Sequence, residues 1–269
     1  MPELPEVETI VRELNHSDLI GKKILRAEVF WYKTIAIPQV SEFLQAIENQ
    51  KILKITRQGK YIVFHLSLGY LFVHLRMTGK FLFTLPCKHE RVRLFLDDGR
   101  ILYYADQRKF GRFSLSKTLD LMENIGIDPF SKEFTLEFLR SLLCSHSRQI
   151  KPFLLDQKYI AGLGNIYVDE ALWEAKIHPE RLSNTLSERQ IQELYAAIPK
   201  VLEKGIKNLG TSLGAHRSNY YSVSGRKGGN QYKLNVFRRD GEPCARCGEM
   251  IIKVKVAQRG THICPNCQS

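Results

Sequence analysis

The first residues of the chain, MPELPEVE, place a proline at position 2 and a glutamate at position 3. If Met1 is removed, Pro2 carries a free secondary amine, and because an α-amino group titrates near pH ~8, a neutral fraction exists at neutral pH. Neutral amines attack carbonyl carbons and form Schiff bases, and a neighbouring carboxylate can transfer protons. Helix initiation explains Pro5 and Glu6 equally well. It does not explain Pro2 and Glu3, which are therefore a candidate active site.

The last part of the chain holds four cysteines in two CxxC pairs, with sixteen residues between the pairs. This spacing is typical of a structural zinc site, because two CxxC turns joined by a hairpin can place four thiolates tetrahedrally around one metal ion. No ligand position would remain open for a catalytic water. We therefore predict one structural Zn²⁺ with the ligands Cys244, Cys247, Cys264 and Cys267.

Apolar residues stand beside basic residues in two other segments. VHLRMTG contains Met77, and ADQRKFGRF contains Arg108 and Phe110. Exposed apolar side chains of this kind can unstack a DNA duplex as wedges. Taken singly, each apolar residue is more often part of a core, and joint action rests on both segments ending strands of the same predicted sheet.

Three further residues are candidates for contact with phosphate. Lys151 precedes a Gly-Leu-Gly-Asn turn, and Asn165 stands at the predicted start of a helix, where backbone N–H groups can bind an anion. Arg259 lies near the turn of a basic hairpin. Helix capping by Asn165 and a solvated turn position for Arg259 are the simpler readings of the spacing alone.

The composition indicates a polyanionic partner. The net charge is +12 and the isoelectric point is about 9.4, which favours nucleic acid first and an anionic membrane second. No apolar run reaches the ~18 residues of a membrane span. The acidic N-terminus lacks the apolar region of a secretory signal, so we expect a reducing cytoplasm in which the six cysteines form no disulfide framework.

The pattern of elements changes along the chain. The strand-like segments are rich in β-branched and aromatic residues and cover 22–30, 51–57, 60–66, 69–75, 80–85, 91–97 and 100–104. Their close spacing predicts an antiparallel sandwich or barrel. Helical periodicity is found at 39–49, with Ser41 as N-cap, and again at 134–143, 165–175 and 187–208. The Gly-rich segment 209–231 has no period and is typical of a functional or disordered loop.

Taken together, these motifs resemble the bacterial formamidopyrimidine-DNA glycosylase family. The resemblance rests on PELPEVE, on the CxxC-x16-CxxC tail with its GTHICPNCQ ending, and on several segments between them: RQGKY, HLRMTG, KHE, QRKFG, IKPFLLDQ, AGLGNIYVDEALW and IHPERL. The matches follow one another in order over essentially the whole chain.

The resemblance implies an α+β fold in which DNA lies in a basic cleft between two domains. The implied parts are an N-terminal antiparallel β-sandwich catalytic domain (1–116), a linker (117–131), a helix–two-turns–helix domain with a lesion-capping loop (132–231) and a β-hairpin zinc finger (232–269). It also implies a bifunctional glycosylase and AP lyase of base excision repair. Such an enzyme flips an oxidised purine, 8-oxoguanine or a formamidopyrimidine, out of double-stranded DNA, excises it and cleaves the strand by β,δ-elimination. We expect a monomer without a membrane partner.

The resemblance also assigns roles to single residues. Pro2 would be the nucleophile at C1′, Glu3 the acid that assists opening of the sugar ring, and Glu6 a supporting carboxylate. Lys60 would be the proton donor linked with β-elimination and also a phosphate anchor, and Arg259 would be linked with δ-elimination. The implied DNA contacts are the void-filling trio Met77, Arg108 and Phe110 and the backbone contacts His89, Lys151, Asn165 and Arg259.

The sequence departs from the family at three places. Arg91 stands where the family often has the second histidine of KHDH, Thr78 varies where the family contacts the lesion, and 211–231 is divergent. In that last segment Ser218, Tyr220 and Tyr221 could offer hydroxyls or ring faces to an extruded base. These differences concern substrate preference more than chemistry.

Two alternatives remain from the sequence. An enzyme of the endonuclease VIII type would act on oxidised pyrimidines, but such enzymes usually begin PEGPE, and Leu4 occupies the place of that glycine. A non-catalytic protein that binds damaged DNA would be expected to lack Pro2, Glu3 or Lys60, and all three are present.

Overall fold

The computed structural model describes residues 1–84, 88–214 and 220–269. The chain divides into two compact units. The first consists of Met1–Glu123 and Asn208–Gln231, and the second of Asn124–Lys207 and Tyr232–Ser269. The sequence analysis assigned 208–231 to the helical part of the chain, whereas in the structure this segment packs into the first unit.

The first unit contains two helices and a large sheet. The helices are α1 (Leu4–Asn15) and α2 (Val40–Ile47). The strands, in chain order, are β1 (Lys23–Val29), β2 (Ile35–Ile37), β3 (Gln50–Gln58), β4 (Tyr61–Leu66), β5 (Gly69–His74), β6 (Gly79–Leu82), β7 (Glu90–Leu96), β8 (Ile101–Asp106) and β9 (Arg112–Ser116).

Among the described residues these strands are ordered β2-β9-β5-β4-β3-β1-β7-β8-β6. β1 and β3 share a short antiparallel pairing, Lys23 with Lys51 and Ile24 with Gln50, which joins the two halves of the sheet. The pairing of β2 with β9 is parallel, and the remaining pairs are antiparallel. Side chains of both halves enter one core, so the sandwich architecture expected from the closely spaced strands is confirmed.

Helix α1 covers one side of this core, as its periodicity predicts. Val7, Ile10, Val11 and Leu14 are buried, and the exposed side of the helix carries charged residues such as Arg12. An i, i+3, i+4, i+7 spacing puts these apolar side chains on one face. The helix therefore fixes the position of the residues immediately before it, Pro2 and Glu3.

The second unit combines helices with a C-terminal hairpin. Its helices are α3 (Leu136–Cys144), α4 (Ile150–Leu155), α5 (Asn165–Glu174) and α6 (Glu188–Lys207), and its hairpin pairs β10 (Ile252–Val256) with β11 (Arg259–Ile263). The segment expected to be a linker is tied into this unit in part: the Gly126 N–H donates to Gln157 O at 2.8 Å and the Ala161 N–H to Ile127 O at 2.9 Å.

Two predicted helix N-caps are wrong. Ser41 lies inside α2, whose N-cap is Gln39, and Asn165 is the first residue of α5, whose N-cap is Gly164. The short elements β2, β9 and α4 correspond to no predicted strand or helix. In the described parts of the chain, none of the helices combines the length with the apolar composition that crossing a bilayer requires.

Candidate active site, DNA contacts and metal centre

The residues before α1 form a buried, hydrogen-bonded start of the chain. Pro2 is buried, and Glu3 and Glu6 are only 3% and 1% exposed. The Glu6 carboxylate accepts the backbone N–H of Glu3 at 2.7 Å and, through its other oxygen, the N–H of Thr211 at 2.7 Å. Glu6 therefore caps the helix, as its position suggests, and also joins the start of the chain to segment 208–231.

Burial lowers the pKa of the amino group at the chain start, carried here by Met1. The charges of Glu3 and Glu6 act in the opposite direction, and those of Lys60 and Arg108 add to the lowering of this pKa. A lower pKa increases the neutral, nucleophilic fraction of an amine. Two cations and two carboxylates of the predicted site thus act electrostatically on this amino group.

Lys60 occupies the turn between β3 and β4, and its side chain is buried. Nearby, burial and then the charges of Arg76 and Lys60 lower the pKa of His74 to about 3. His74 is therefore neutral at physiological pH, with its Nδ1 accepting the Arg76 N–H at 3.0 Å and its ring edge-on to Tyr61. His74 lies in the HLRMTG segment of the family resemblance but was not predicted as a site residue.

The wedge candidates lie on two neighbouring turns of the first unit. Met77 belongs to the turn from β5 to β6, while Arg108 and Phe110 belong to the turn from β8 to β9. Gly79 pairs with Asp106, which places the two turns side by side. Phe110 is 48% exposed, and the Arg108 guanidinium lies 4.9 Å from the centre of its ring. The exposed ring is available to a partner and is not part of the core.

Arg91, which stands where the family often has the second histidine of KHDH, is bonded to the protein backbone. Arg91 donates from Nε to Asp106 O at 2.9 Å and from Nη1 to Glu90 O at 2.9 Å, so its guanidinium is held against the backbone. His89 precedes β7 in a left-handed conformation and accepts the Asp106 N–H at its carbonyl at 3.0 Å. Both residues therefore support the start of the β8–β9 turn.

In the second unit, Lys151 is completely buried. Its ammonium donates to Asp169 Oδ1 at 2.5 Å and to Thr261 Oγ1 at 2.8 Å. The Asn165 side-chain amide donates to Gly260 O at 2.9 Å. Two predicted backbone-contact residues thus hold the first part of β11, next to the exposed Arg259.

The four cysteines predicted to bind zinc lie together. Their Sγ atoms are all within 4.8 Å of one another, a spacing that fits a tetrahedral site of four thiolates. Burial alone would raise the pKa of Cys244, but the Arg246 N–H and the Trp173 Nε1–H lower it to about 6. Donors of this kind stabilise a thiolate, which is the form that binds metal.

Comparison with known proteins identifies the family. Family models match residues 1–113 as the formamidopyrimidine-DNA glycosylase N-terminal domain, 125–216 as the formamidopyrimidine-DNA glycosylase H2TH domain, and 241–269 as the zinc finger found in FPG and IleRS. The chain belongs to the formamidopyrimidine-DNA glycosylase family. The family resemblance of the sequence is thereby confirmed, and one structural zinc is the cofactor that the four-cysteine cluster fits.

Individual formamidopyrimidine-DNA glycosylases match over their full length. The enzyme of Protochlamydia amoebophila is 48% identical, with 100% of this chain and 99% of that protein covered. A solved structure of a Lactococcus lactis FPG mutant with a Fapy-dG containing DNA has a TM-score of 0.91 at 40% identity and full coverage of both chains. A structure of MutM with carbocyclic 8-oxo-G containing DNA has a TM-score of 0.90 at 39% identity, again with full coverage. The predicted fold class is confirmed.

The described residues of segment 208–231, namely 208–214 and 220–231, include several that bond to α1. The Glu13 carboxylate accepts the Ser224 N–H at 2.9 Å and a guanidinium N–H of Arg226 at 2.9 Å. Of the three residues suggested to touch an extruded base, Ser218 lies outside the described residues. Tyr220 is buried, and the Lys80 ammonium lies 5.4 Å from the centre of the Tyr221 ring.

Proposed function

We propose that this chain is a bifunctional DNA glycosylase and AP lyase of base excision repair. It removes oxidised purines, namely 8-oxoguanine and formamidopyrimidines, from double-stranded DNA, and it also cleaves at abasic sites. The observation that carries the proposal is the buried chain start, where Pro2 and Glu3 precede α1 and the charges of Glu3, Glu6, Lys60 and Arg108 act on the amino group of Met1. The family membership and the DNA complexes of its relatives support the same reaction class.

In the proposed reaction Pro2 is the N-terminal residue after removal of Met1. Its nitrogen attacks C1′ of the flipped nucleotide and the bond from C1′ to the base breaks, so the base leaves and takes up the proton that the Pro2 nitrogen loses. Glu3 protonates the ring oxygen, so the sugar opens to an iminium ion. The cationic nitrogen withdraws electrons and acidifies the C2′–H bond. C2′ loses its proton to water, and the 3′ phosphate leaves by β-elimination, with Lys60 donating a proton to the departing phosphate oxygen.

A second elimination releases the 5′ phosphate, with Arg259 as its proton donor. Arg259 is exposed, while the residues that follow it in β11 are fixed by the buried Lys151 and Asp169 and by the partly buried Asn165. We propose that Lys151 acts on DNA through this turn, because its ammonium is already bonded to Asp169 and Thr261. His89 and Asn165 remain proposed backbone contacts.

The void left by the flipped base is filled by Met77, Arg108 and Phe110, and segment 208–231 covers the base. The domain roles follow the same division: residues 1–116 catalyse, 132–231 bind DNA and the base, and 232–269 form the zinc finger. We further propose that the enzyme is a monomer and works in the bacterial cytoplasm on chromosomal DNA.

Borohydride trapping on lesion-bearing DNA tests the proposal, since borohydride reduces only a Schiff base to a covalent adduct. We expect an adduct with a duplex containing 8-oxoguanine or a formamidopyrimidine. A panel of duplexes, each with a single defined lesion, separates the alternatives. Adducts only with oxidised pyrimidines would favour an endonuclease VIII-type enzyme, and binding without any adduct would favour a non-catalytic damage-binding protein.

A further inference from the structure

A single buried carboxylate lies between the two turns that carry the wedge candidates. Asp106 is the last residue of β8 and is only 1% exposed. Its Oδ2 accepts the Gly111 N–H at 2.7 Å, and its Oδ1 accepts the Arg108 N–H at 3.2 Å. Asp106 thus binds the β8–β9 turn on both sides of Phe110.

The same carboxylate reaches the other turn through Thr78. The Thr78 hydroxyl donates to Asp106 Oδ1 and accepts the Arg108 N–H at 3.0 Å. Thr78 directly follows Met77, so its hydroxyl links the turn that carries Met77 to the backbone of Arg108 in the other turn. The side chain that the sequence analysis connected with lesion preference is therefore engaged within the protein.

Close packing reinforces the connection between the turns. A Cβ added at Gly79 would lie 2.3 Å from the Tyr104 hydroxyl oxygen, and one added at Gly111 would lie 1.7 Å from it. Both turns therefore close on the same buried ring. Each also holds a non-glycine residue in the left-handed region, Arg76 at φ +54° and Lys109 at φ +60°, a conformation that persists only where the surroundings enforce it.

We propose that Asp106 and Thr78 fix the two turns as one preformed wedge, so that Met77, Arg108 and Phe110 enter a duplex together. This inference rests on the proposed function. On this proposal Thr78 is a positioning residue for duplex opening. It also affects how the opposite base is read, because it sets the position of Arg108. Thr78 itself does not contact the damaged base. Because the network consists of protein groups alone, the wedge does not have to be assembled during binding.

Thr78→Val tests the proposal, since valine keeps the shape of threonine but removes the hydroxyl. We expect single-turnover excision from an 8-oxoguanine duplex to fall roughly tenfold, the size expected when a buried charged acceptor loses a partner. Cleavage of a single strand with a pre-formed abasic site should change much less, because it has no stack to open. Preference for the base opposite the lesion should weaken in parallel.

Three further variants make the result specific. Thr78→Ser keeps the hydroxyl and should restore the duplex rate. Thr118→Val removes a hydroxyl that donates to the exposed Asp120 at 2.7 Å and should leave both rates unchanged. Asp106→Asn should reproduce the selective loss on the duplex, with the melting temperature measured to show that the variant is folded.

The possible failures can be told apart. Absence of excision and of a borohydride adduct in the wild-type enzyme would contradict the proposed function itself. Equal losses on duplex and single strand in Phe110→Ala would mean that the turns are not a wedge. If Phe110→Ala is selective for the duplex but Thr78→Val changes neither rate, or lowers both equally, the proposed link between the turns is wrong.

Discussion

At the scale of single residues, the proposed chemistry depends on an amine and on what surrounds it. Burial lowers the pKa of the amino group at the chain start, and Lys60 and Arg108 contribute in the same direction. A protonated amine has no lone pair for attack, so a lower pKa extends the reaction to lower pH. The carboxylates of Glu3 and Glu6 limit this lowering.

We expect Pro2→Gly to reduce borohydride trapping sharply while the melting temperature stays close to that of the wild type. Retention of Met1 should also block trapping, because Pro2 would then be an amide nitrogen. Glu42→Gln, on the exposed side of α2, is a suitable control. A normal adduct yield from Pro2→Gly would show that another amine carries out the chemistry.

The pH dependence of trapping follows from the same surroundings. Trapping should rise with pH as the amine loses its proton, and its midpoint should lie below that of the same amine in an unfolded peptide beginning PELPEVE, because Pro2 is buried in the folded chain. Reductive methylation of both molecules across the pH range measures the two midpoints. A midpoint in the enzyme at or above that of the peptide would mean that the carboxylates outweigh burial.

At the scale of secondary-structure elements, the β10–β11 hairpin is oriented by a buried ion pair. Lys151 from α4 pairs with Asp169 from α5 and donates to Thr261 of β11, and Asp169 Oδ2 also accepts the His262 N–H at 3.0 Å. Removal of one member of a buried pair leaves an uncompensated charge and typically costs about 3–5 kcal/mol. The hairpin turn therefore depends on residues about 90–110 positions earlier in the sequence.

We expect Lys151→Met to lower the free energy of unfolding by about 3 kcal/mol, by the same argument. It should also shift the products from β,δ-elimination towards β-elimination, because the turn next to Arg259 loses its anchor. Lys158→Met, at an exposed position, should change neither quantity. Weaker DNA binding with unchanged stability and product ratio would support the direct backbone contact implied by the family resemblance.

The elements also show what the sequence could predict. Local periodicity was sufficient for the apolar face of α1, most strands of the sheet and the long helix α6, because side chains that alternate or recur every turn carry this information. The side chain of Asn165 bonds instead to Gly260, which is 95 residues away, so no local pattern favoured Gly164 as the N-cap. Asp106 and Asp169 were missed for the same reason.

At the scale of the whole molecule, the four-cysteine cluster is bonded to the helices of its own compact unit through residues other than the four cysteines. Arg246, between Cys244 and Cys247, donates to Trp173 O at 2.9 Å and stacks over the Trp173 ring at 4.0 Å. Trp173 belongs to α5, which also carries Asn165 and Asp169 nearer its other end. The metal site and the hairpin turn are therefore supported by one helix.

We expect Cys247→Ser to release the single zinc ion and to weaken DNA binding, because a structural metal site folds together with its ligands. Inductively coupled plasma mass spectrometry and fluorescence anisotropy with a lesion duplex measure the two effects. Cys144→Ser, at an exposed cysteine outside the cluster, is the matched control. Full DNA affinity in a zinc-free preparation would contradict the proposed role of the zinc finger.

Segment 208–231 belongs to the compact unit that contains the start of the chain, although the helical unit separates the two in sequence. Two glutamates of α1 hold it there: Glu6 accepts the Thr211 N–H, and Glu13 accepts N–H groups of Ser224 and Arg226. Burial alone would raise the pKa of Glu13, but hydrogen bonds from these donors lower it below its usual range, so this anchor remains ionised at neutral pH.

Because Pro2, Glu3 and Lys60 are proposed to act on the sugar and this segment only on the base, its removal should affect the two activities differently. We expect deletion within 214–227, or the milder Glu13→Gln, to reduce single-turnover excision of 8-oxoguanine strongly. Strand cleavage at a pre-formed abasic site should fall much less. Glu137→Gln, which alters an exposed ion pair in α3, provides the control. Equal losses on both substrates would mean that the segment supports the catalytic site through Glu6, and its assignment to the base would then have to be abandoned.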